Sequence, residues 1–188
     1  GTEHGIYVSF DDGANWQSLR QNLPDTPVHD IAVEERDLVI ATHGRGFYVM
    51  DNISPLRQGG LPATSTFQLY KPEDARRGLD RSVAIDYYLK QPAQKVTMAF
   101  LDAQGKTIRT FTGTPADAER KPPSPGDDDG PRRPPEPHPA VSAGLHRLTW
   151  DMRYPGATDF PGLVMWAASA RGPIAPPGTY QVRVTADA

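Results

Sequence analysis

The chain has 188 residues, 37% hydrophobic and 23% charged, which is the composition of one or two folded domains and not of a disordered polymer. A formal net charge of −3 leaves no electrostatic footprint for nucleic acid or an anionic membrane surface, and no run of about 18 apolar residues offers a membrane span. The absence of cysteine excludes disulfides, thiolate metal sites and a cysteine nucleophile, while remaining compatible with either a reducing or an oxidising compartment.

The first predicted feature is a hairpin. GIYV (Gly5 to Val8) and QSL (Gln17 to Leu19) flank the Gly/Asp/Asn-rich SFDDGANW, Ser9 to Trp16, so that octet belongs at a hairpin tip. There Asp11 is expected to accept hydrogen bonds from turn amides, Gly13 to take a positive φ, and Trp16 to pack under the loop. Each residue has a structural job, and no ligand is needed to account for it.

Two β-rich runs follow, VHDIAV (28–33) and DLVIATH (37–43), joined by a short charged turn. Next comes GFYVMDN, Gly46 to Asn52, which repeats GIYVSFD: Gly5, Tyr7 and Val8 superpose on Gly46, Tyr48 and Val49 at a 41-residue offset. A period of roughly 40–45 residues with four strands per repeat is that of a β-propeller blade. One blade cannot bury its own faces, so residues 1–57 read as the end of a propeller whose other blades lie outside this sequence. The chain starts with Gly and not Met, which fits a piece of a longer protein with any signal peptide upstream.

SFDDGANW is similar to the Asp-box of BNR-repeat propellers, and LVIATHGRGFYVMDNISPLRQ resembles the last-blade signature of the sortilin-like bacterial BNR-repeat proteins often labelled as glycosyl hydrolases. In the second copy Met50, Asp51 and Asn52 replace Ser9, Phe10 and Asp11, the decay expected of a terminal repeat. The resemblance implies a structural Asp-box (Ser9, Asp11, Gly13, Trp16), an exported bacterial protein, and as partners the remaining blades, in the same protein or in a second chain.

NISPLRQGGLPATST, Asn52 to Thr66, reads as loop, with the linker proper at 58–66. Beyond it, strands are expected at 67–72, 82–90, 95–102, 107–113, 144–152 and 178–186, with DAQG (102–105) as a hairpin turn. Short strands without helical periodicity predict an antiparallel β-sandwich over 67–188. Asp102, Gly105, Arg109 and Thr110, then Gly144, His146, Trp150 and Asp151, then Pro177, Gly178, Tyr180 and Arg183 resemble the immunoglobulin-like domain of flagellar hook-capping proteins and of the C-termini of many secreted bacterial enzymes. That resemblance implies a structural or interaction module without catalytic residues. The fold class expected is therefore all-β, terminal propeller blade(s) followed by an immunoglobulin-like sandwich.

Two insertions interrupt the sandwich. Residues 114–142 combine dense proline with clustered charge, including Asp127, Asp128 and Asp129, and are expected to be a disordered loop; three adjacent aspartates lack the alternating spacing of a calcium loop. Residues 154–178 are apolar, with Phe160, Leu163, Met165 and Trp166, and are expected to pack as a cover.

Candidates for chemistry are few. His43 and Arg45 sit on a Gly-flanked loop, where Arg45 could hold a carboxylate or phosphate bidentately or pair with a neighbouring blade. His4, His29, His138 and His146 stand singly, with no HxH or HExxH spacing, so no metal and no cofactor is expected. No catalytic constellation occurs within the sequence. The leading expectation is a non-catalytic module that closes and caps a BNR-repeat propeller. The alternatives are part of a glycoside hydrolase acting on a glycan, with active residues mainly in absent blades, and a sortilin-like peptide-binding receptor.

Overall fold

A computed structural model describes residues 1–60, 65–75, 82–118, 136–158 and 170–187. Among the described residues the regular secondary structure is mostly β, in small antiparallel sheets without a closed barrel. The chain divides into two compact units, Gly1–Pro62 and Ala63–Ala188.

In the first unit, strands β1 (Tyr7–Val8) and β2 (Gln17–Ser18) form a two-stranded hairpin. Strands β3 (Val28–Glu34), β4 (Asp37–Thr42) and β5 (Phe47–Met50) form a second sheet in that order, with Glu35 and Arg36 as the β3–β4 turn. Paired residues share a face. The registers Leu38↔Met50 and Ile40↔Tyr48 therefore collect one apolar face, which packs with Ile6, Leu19, Leu23 and Ile53 into a core. The opposite face carries Val39 opposite Val49 and Ala41 opposite Phe47.

The repeat unit of the sequence maps onto β1 and β5, but its two copies continue differently. After β1 comes the Ser9–Trp16 loop; after β5 the short helix α1 (Ser54–Arg57) begins. The stretch read as loop from Asn52 is thus ordered at its start: Pro55 sits in the first helical turn, where its missing N–H costs nothing, and Ile53 is buried. Asn52 adopts φ 58° and its side-chain oxygen accepts the Ser54 N–H at 3.0 Å. The residue that replaces Asp11 therefore organises a helix entry instead of a hairpin tip.

In the second unit, β6 (Phe67–Leu69), β7 (Val83–Leu89) and β10 (Gly144–Trp150) form one sheet in the order β10-β7-β6. β8 (Lys95–Leu101), β9 (Thr107–Gly113) and β11 (Gln181–Asp187) form the other in the order β11-β8-β9. Alternate residues of the two sheets face a shared core: Ile85, Tyr87 and Leu89 from β7, Leu148 and Trp150 from β10, Val96, Met98 and Phe100 from β8. Phe100 meets Trp150 between the sheets at 4.3 Å between ring centres, and Phe111 edge-on at 5.9 Å. The unit is sandwich-like in this sense. At the β8–β9 turn, Asp102 accepts the Gln104 and Lys106 N–H groups at 3.0 and 2.9 Å.

The insertion expected over 114–142 is shorter at both ends than its composition implied. At the start of α2 (Pro115–Ala118), Asp117 Oδ2 reaches back to accept the Thr114 N–H and hydroxyl at 2.9 and 2.7 Å. On the return, Arg109 reaches Glu136 at 2.7 Å, His138 contacts the Thr112 carbonyl at 2.8 Å, Tyr87 donates to the Ala140 carbonyl at 2.7 Å, and the Val141 carbonyl accepts the Ala93 N–H at 2.8 Å. Residues 136–142 are therefore part of the sandwich's packing, while 119–135, with Asp127, Asp128 and Asp129, lie outside the described residues. The second insertion leaves the core in register: Tyr154 pairs with Pro173, Ala157 with Ala170, and Ala175 with Met152 through backbone bonds of 3.0, 2.9 and 2.7 Å. Phe160, Leu163, Met165 and Trp166 lie outside the described residues.

Candidate functional site

The loop Ser9 to Trp16 lies between β1 and β2, and its polar groups satisfy one another. Asp11 Oδ1 accepts the Asn15 N–H at 2.8 Å and the Ser9 hydroxyl at 2.9 Å; Oδ2 accepts the Asn15 side-chain amide at 2.7 Å. Ser9 Oγ in turn accepts the Gly13 N–H at 2.8 Å, where φ is 89°. These bonds, led by the Asn15 side-chain amide, hold the Asp11 carboxyl below the ordinary aspartate range. The Trp16 ring lies against Gly13 and stays 63% exposed, so it covers the outside of the loop and does not enter a core. Phe10 projects the other way, its ring seated against Gly60 just beyond α1.

The second candidate is the β4–β5 turn, His43 to Gly46. Gly44 and Gly46 both have positive φ, 72° and 78°, which lets four residues reverse the chain. Thr42 closes the turn, its N–H and hydroxyl both donating to the Gly46 carbonyl at 3.1 and 2.7 Å. The backbone of His43 is held from the far side of the sheet: its N–H donates to the Pro27 carbonyl at 3.0 Å, and its own carbonyl accepts the hydroxyl of the buried Thr26 at 3.3 Å. Among the described residues Arg45 has no carboxylate or other hydrogen-bond partner.

The structure adds a residue that sequence spacing did not connect with His43. β3 bulges between Val28, which pairs with Thr42, and Asp30, which pairs with Ala41. The extra residue is His29, and its ring stacks on that of His43 at 5.1 Å between centres and 26° between planes. A bulge re-aims a side chain in this way. The accessible signal was the two-residue Glu35–Arg36 turn, from which counting back along the ladder brings 29 opposite 42.

In the second unit the charged groups serve the fold. Arg147 grips the buried Asp86 across β10 and β7 with two bonds of 2.7 and 3.1 Å. Arg109 holds Glu136 and lies over the Phe111 ring at 5.1 Å. Among the described residues no buried side-chain nitrogen or oxygen lacks a partner, no cluster of three or more His, Cys, Asp or Glu is placed to hold a metal, and no helix is long and apolar enough to cross a membrane. No protein-family profile matches this chain. No curated protein matches it either.

Proposed function

We propose that this chain is a non-catalytic structural and interaction module that closes and caps a BNR-repeat propeller of an exported bacterial protein, with residues 1–57 the end of the propeller and 67–188 an immunoglobulin-like domain. The observation that carries the reading is the β3-β4-β5 sheet, apolar on both faces. On one face Leu38 and Ile40 pack with Ile6 and Leu19 beside the β1–β2 hairpin while Ile31 and Val33 of β3 stay 36% and 56% exposed; the other presents Phe47 and Val49, 79% and 57% exposed, beside Val39 and Ala41. Antiparallel sheets with one wet face alternate apolar and polar residues, whereas a sheet apolar on both sides belongs between two other layers, as a blade lies between blades. The Asp-box supports the same reading, because its carboxylate is fully engaged by its own loop.

The test is assembly with the preceding blades. Phe47→Ser with Val49→Ser should leave the far-UV circular dichroism and melting temperature of this chain unchanged and abolish its association with co-expressed upstream blades in native mass spectrometry. Association undiminished by the double substitution would overturn the reading. Arg45, exposed and without a partner among the described residues, favours a second reading in which the assembled propeller holds an anionic glycan or peptide carboxylate. Under that reading Arg45→Ala removes ligand retention without loss of assembly; retention by the variant sinks it.

A further inference from the structure

We propose that His29 and His43 form a bidentate site for a divalent transition-metal ion of the zinc, copper or nickel class, independent of the structural role above. A bulge on one strand and a doubly anchored turn on the next bring two imidazoles, and so two nitrogen donors, within reach of one ion. Imidazole nitrogen suits these ions, and it binds only through a lone pair that nothing else occupies. Both rings meet that condition: they are exposed, and among the described residues none of their nitrogens has a hydrogen-bond partner.

The spacing matches the chemistry. With about 2.05 Å from zinc to nitrogen and roughly 1.1 Å more to the ring centre, two tetrahedral imidazole ligands place their ring centres about 5.2 Å apart. The observed separation is 5.1 Å. Stacked with planes 26° apart, the rings bind one ion only after turning their in-plane nitrogens toward it, a rotation of two exposed side chains that breaks no bond. The scaffold beneath does not have to move, since the backbone of His43 is fixed by Pro27 and by Thr26, one of the two buried polar residues of the described chain. No third His, Asp or Glu completes the set among the described residues, so water or a ligand donor fills the remaining positions. Arg45, two residues along the same turn, favours an anionic donor there.

The test is isothermal titration of the untagged full chain with zinc sulfate in a buffer free of chelators, alongside electron paramagnetic resonance with copper(II). One saturable site is expected, with a copper spectrum showing two equivalent imidazole nitrogens. His29→Ala and His43→Ala should each weaken it by at least about tenfold, the lower end of what losing even an outer-shell partner costs a metal site. Equimolar His4→Ala and His138→Ala controls should bind as the parent does. His43→Gln, with circular dichroism, separates a lost ligand from a lost fold. Absence of saturable binding below about 1 mM zinc, or binding that survives either His29 or His43 substitution in a folded chain, overturns the proposal.

Discussion

Replacing Tyr87 by Phe removes one oxygen from the centre of the sandwich and tests whether the return segment 136–142 belongs to it. The Tyr87 side chain has no exposed surface, and its hydroxyl donates to the Ala140 carbonyl at 2.7 Å across 53 residues of sequence. The ring stays in place, so almost no apolar burial changes. What is lost is a neutral hydrogen bond, about 1 kcal/mol, plus desolvation of a carbonyl left without its donor, for a total of about 1–3 kcal/mol. For a unit of this size that is a fall of roughly 3–10 °C in melting temperature. A second signature lies at high pH. Burial holds the Tyr87 hydroxyl far above the usual tyrosine range. For an acid kept neutral in the fold, the contribution is fully present below the unfolded value of about 10 and is lost as pH rises beyond it, at up to about 1.4 kcal/mol per pH unit. The parent chain should therefore lose stability above pH 10 more steeply than Tyr87→Phe, which keeps the effect of Tyr70, raised chiefly by its own burial. Urea unfolding at pH 8 and at several values above 10, followed by the circular dichroism of the second unit's aromatic cluster, measures both. A cost below about 0.5 kcal/mol at pH 8, or parallel pH profiles above 10, would refute the assignment of 136–142 to the packed sandwich.

Further perturbations probe the remaining contacts. Gly60→Ala should destabilise the first unit by about 1–2 kcal/mol in chemical denaturation, because a Cβ there enters the Phe10 ring and φ is +66°; Phe10→Ala in the same chain should recover part of the loss. Asp11→Ala should destabilise the hairpin without altering any association. Its carboxyl is held below the ordinary range, so the contribution is present above the usual carboxylate pKa of about 4 and disappears as pH falls through the lowered value; the melting temperatures of parent and variant should converge in acid. Arg147→Met, which strands the buried Asp86 carboxylate, should cost about 2 kcal/mol by chemical denaturation, and Asp86→Ala added to it should recover some of that, whereas strictly additive costs would show that the pair is not coupled.

Most of the second unit's strands were legible because their apolar residues recur at period two. Ile85, Tyr87 and Leu89, or Val96, Met98 and Phe100, mark one face of one strand whatever surrounds them. Turns written in local chemistry were equally plain, as with Asp102 and Gly105. Composition misled where backbone groups decide. Pro137, Pro139 and Glu136 read as solvated chain, yet Ala140 and Val141 are bound through carbonyls that accept from Tyr87 and Ala93, and a carbonyl looks the same in every sequence. The strand expected over 67–72 is Phe67–Leu69, with one further backbone bond from the buried Tyr70 to the Asp86 carbonyl at 3.0 Å; Pro72, without an N–H, cannot extend the ladder.

The two candidate sites differ in legibility for a single reason, the range over which their residues meet. Every partner of Asp11 lies within four residues of it, so Ser9, Gly13 and Asn15 can be assigned to one loop from spacing alone. His29 and His43 are fourteen residues apart and share no motif; a perfect antiparallel ladder would set His29 opposite Thr42. Only the extra residue at the bulge brings the two rings together, and a bulge leaves no reliable mark in a chain that reads VHDIAV, where each residue suits a strand. A search for metal sites by sequence spacing therefore passes over a class of pair that β-hairpins make readily: one ligand on each strand, with register as the hidden variable. In this chain register is tested by keeping the ligand and removing the bulge: deleting Val28 shifts His29 opposite Thr42 in an unbroken ladder and should weaken copper binding while leaving β3 and β4 paired.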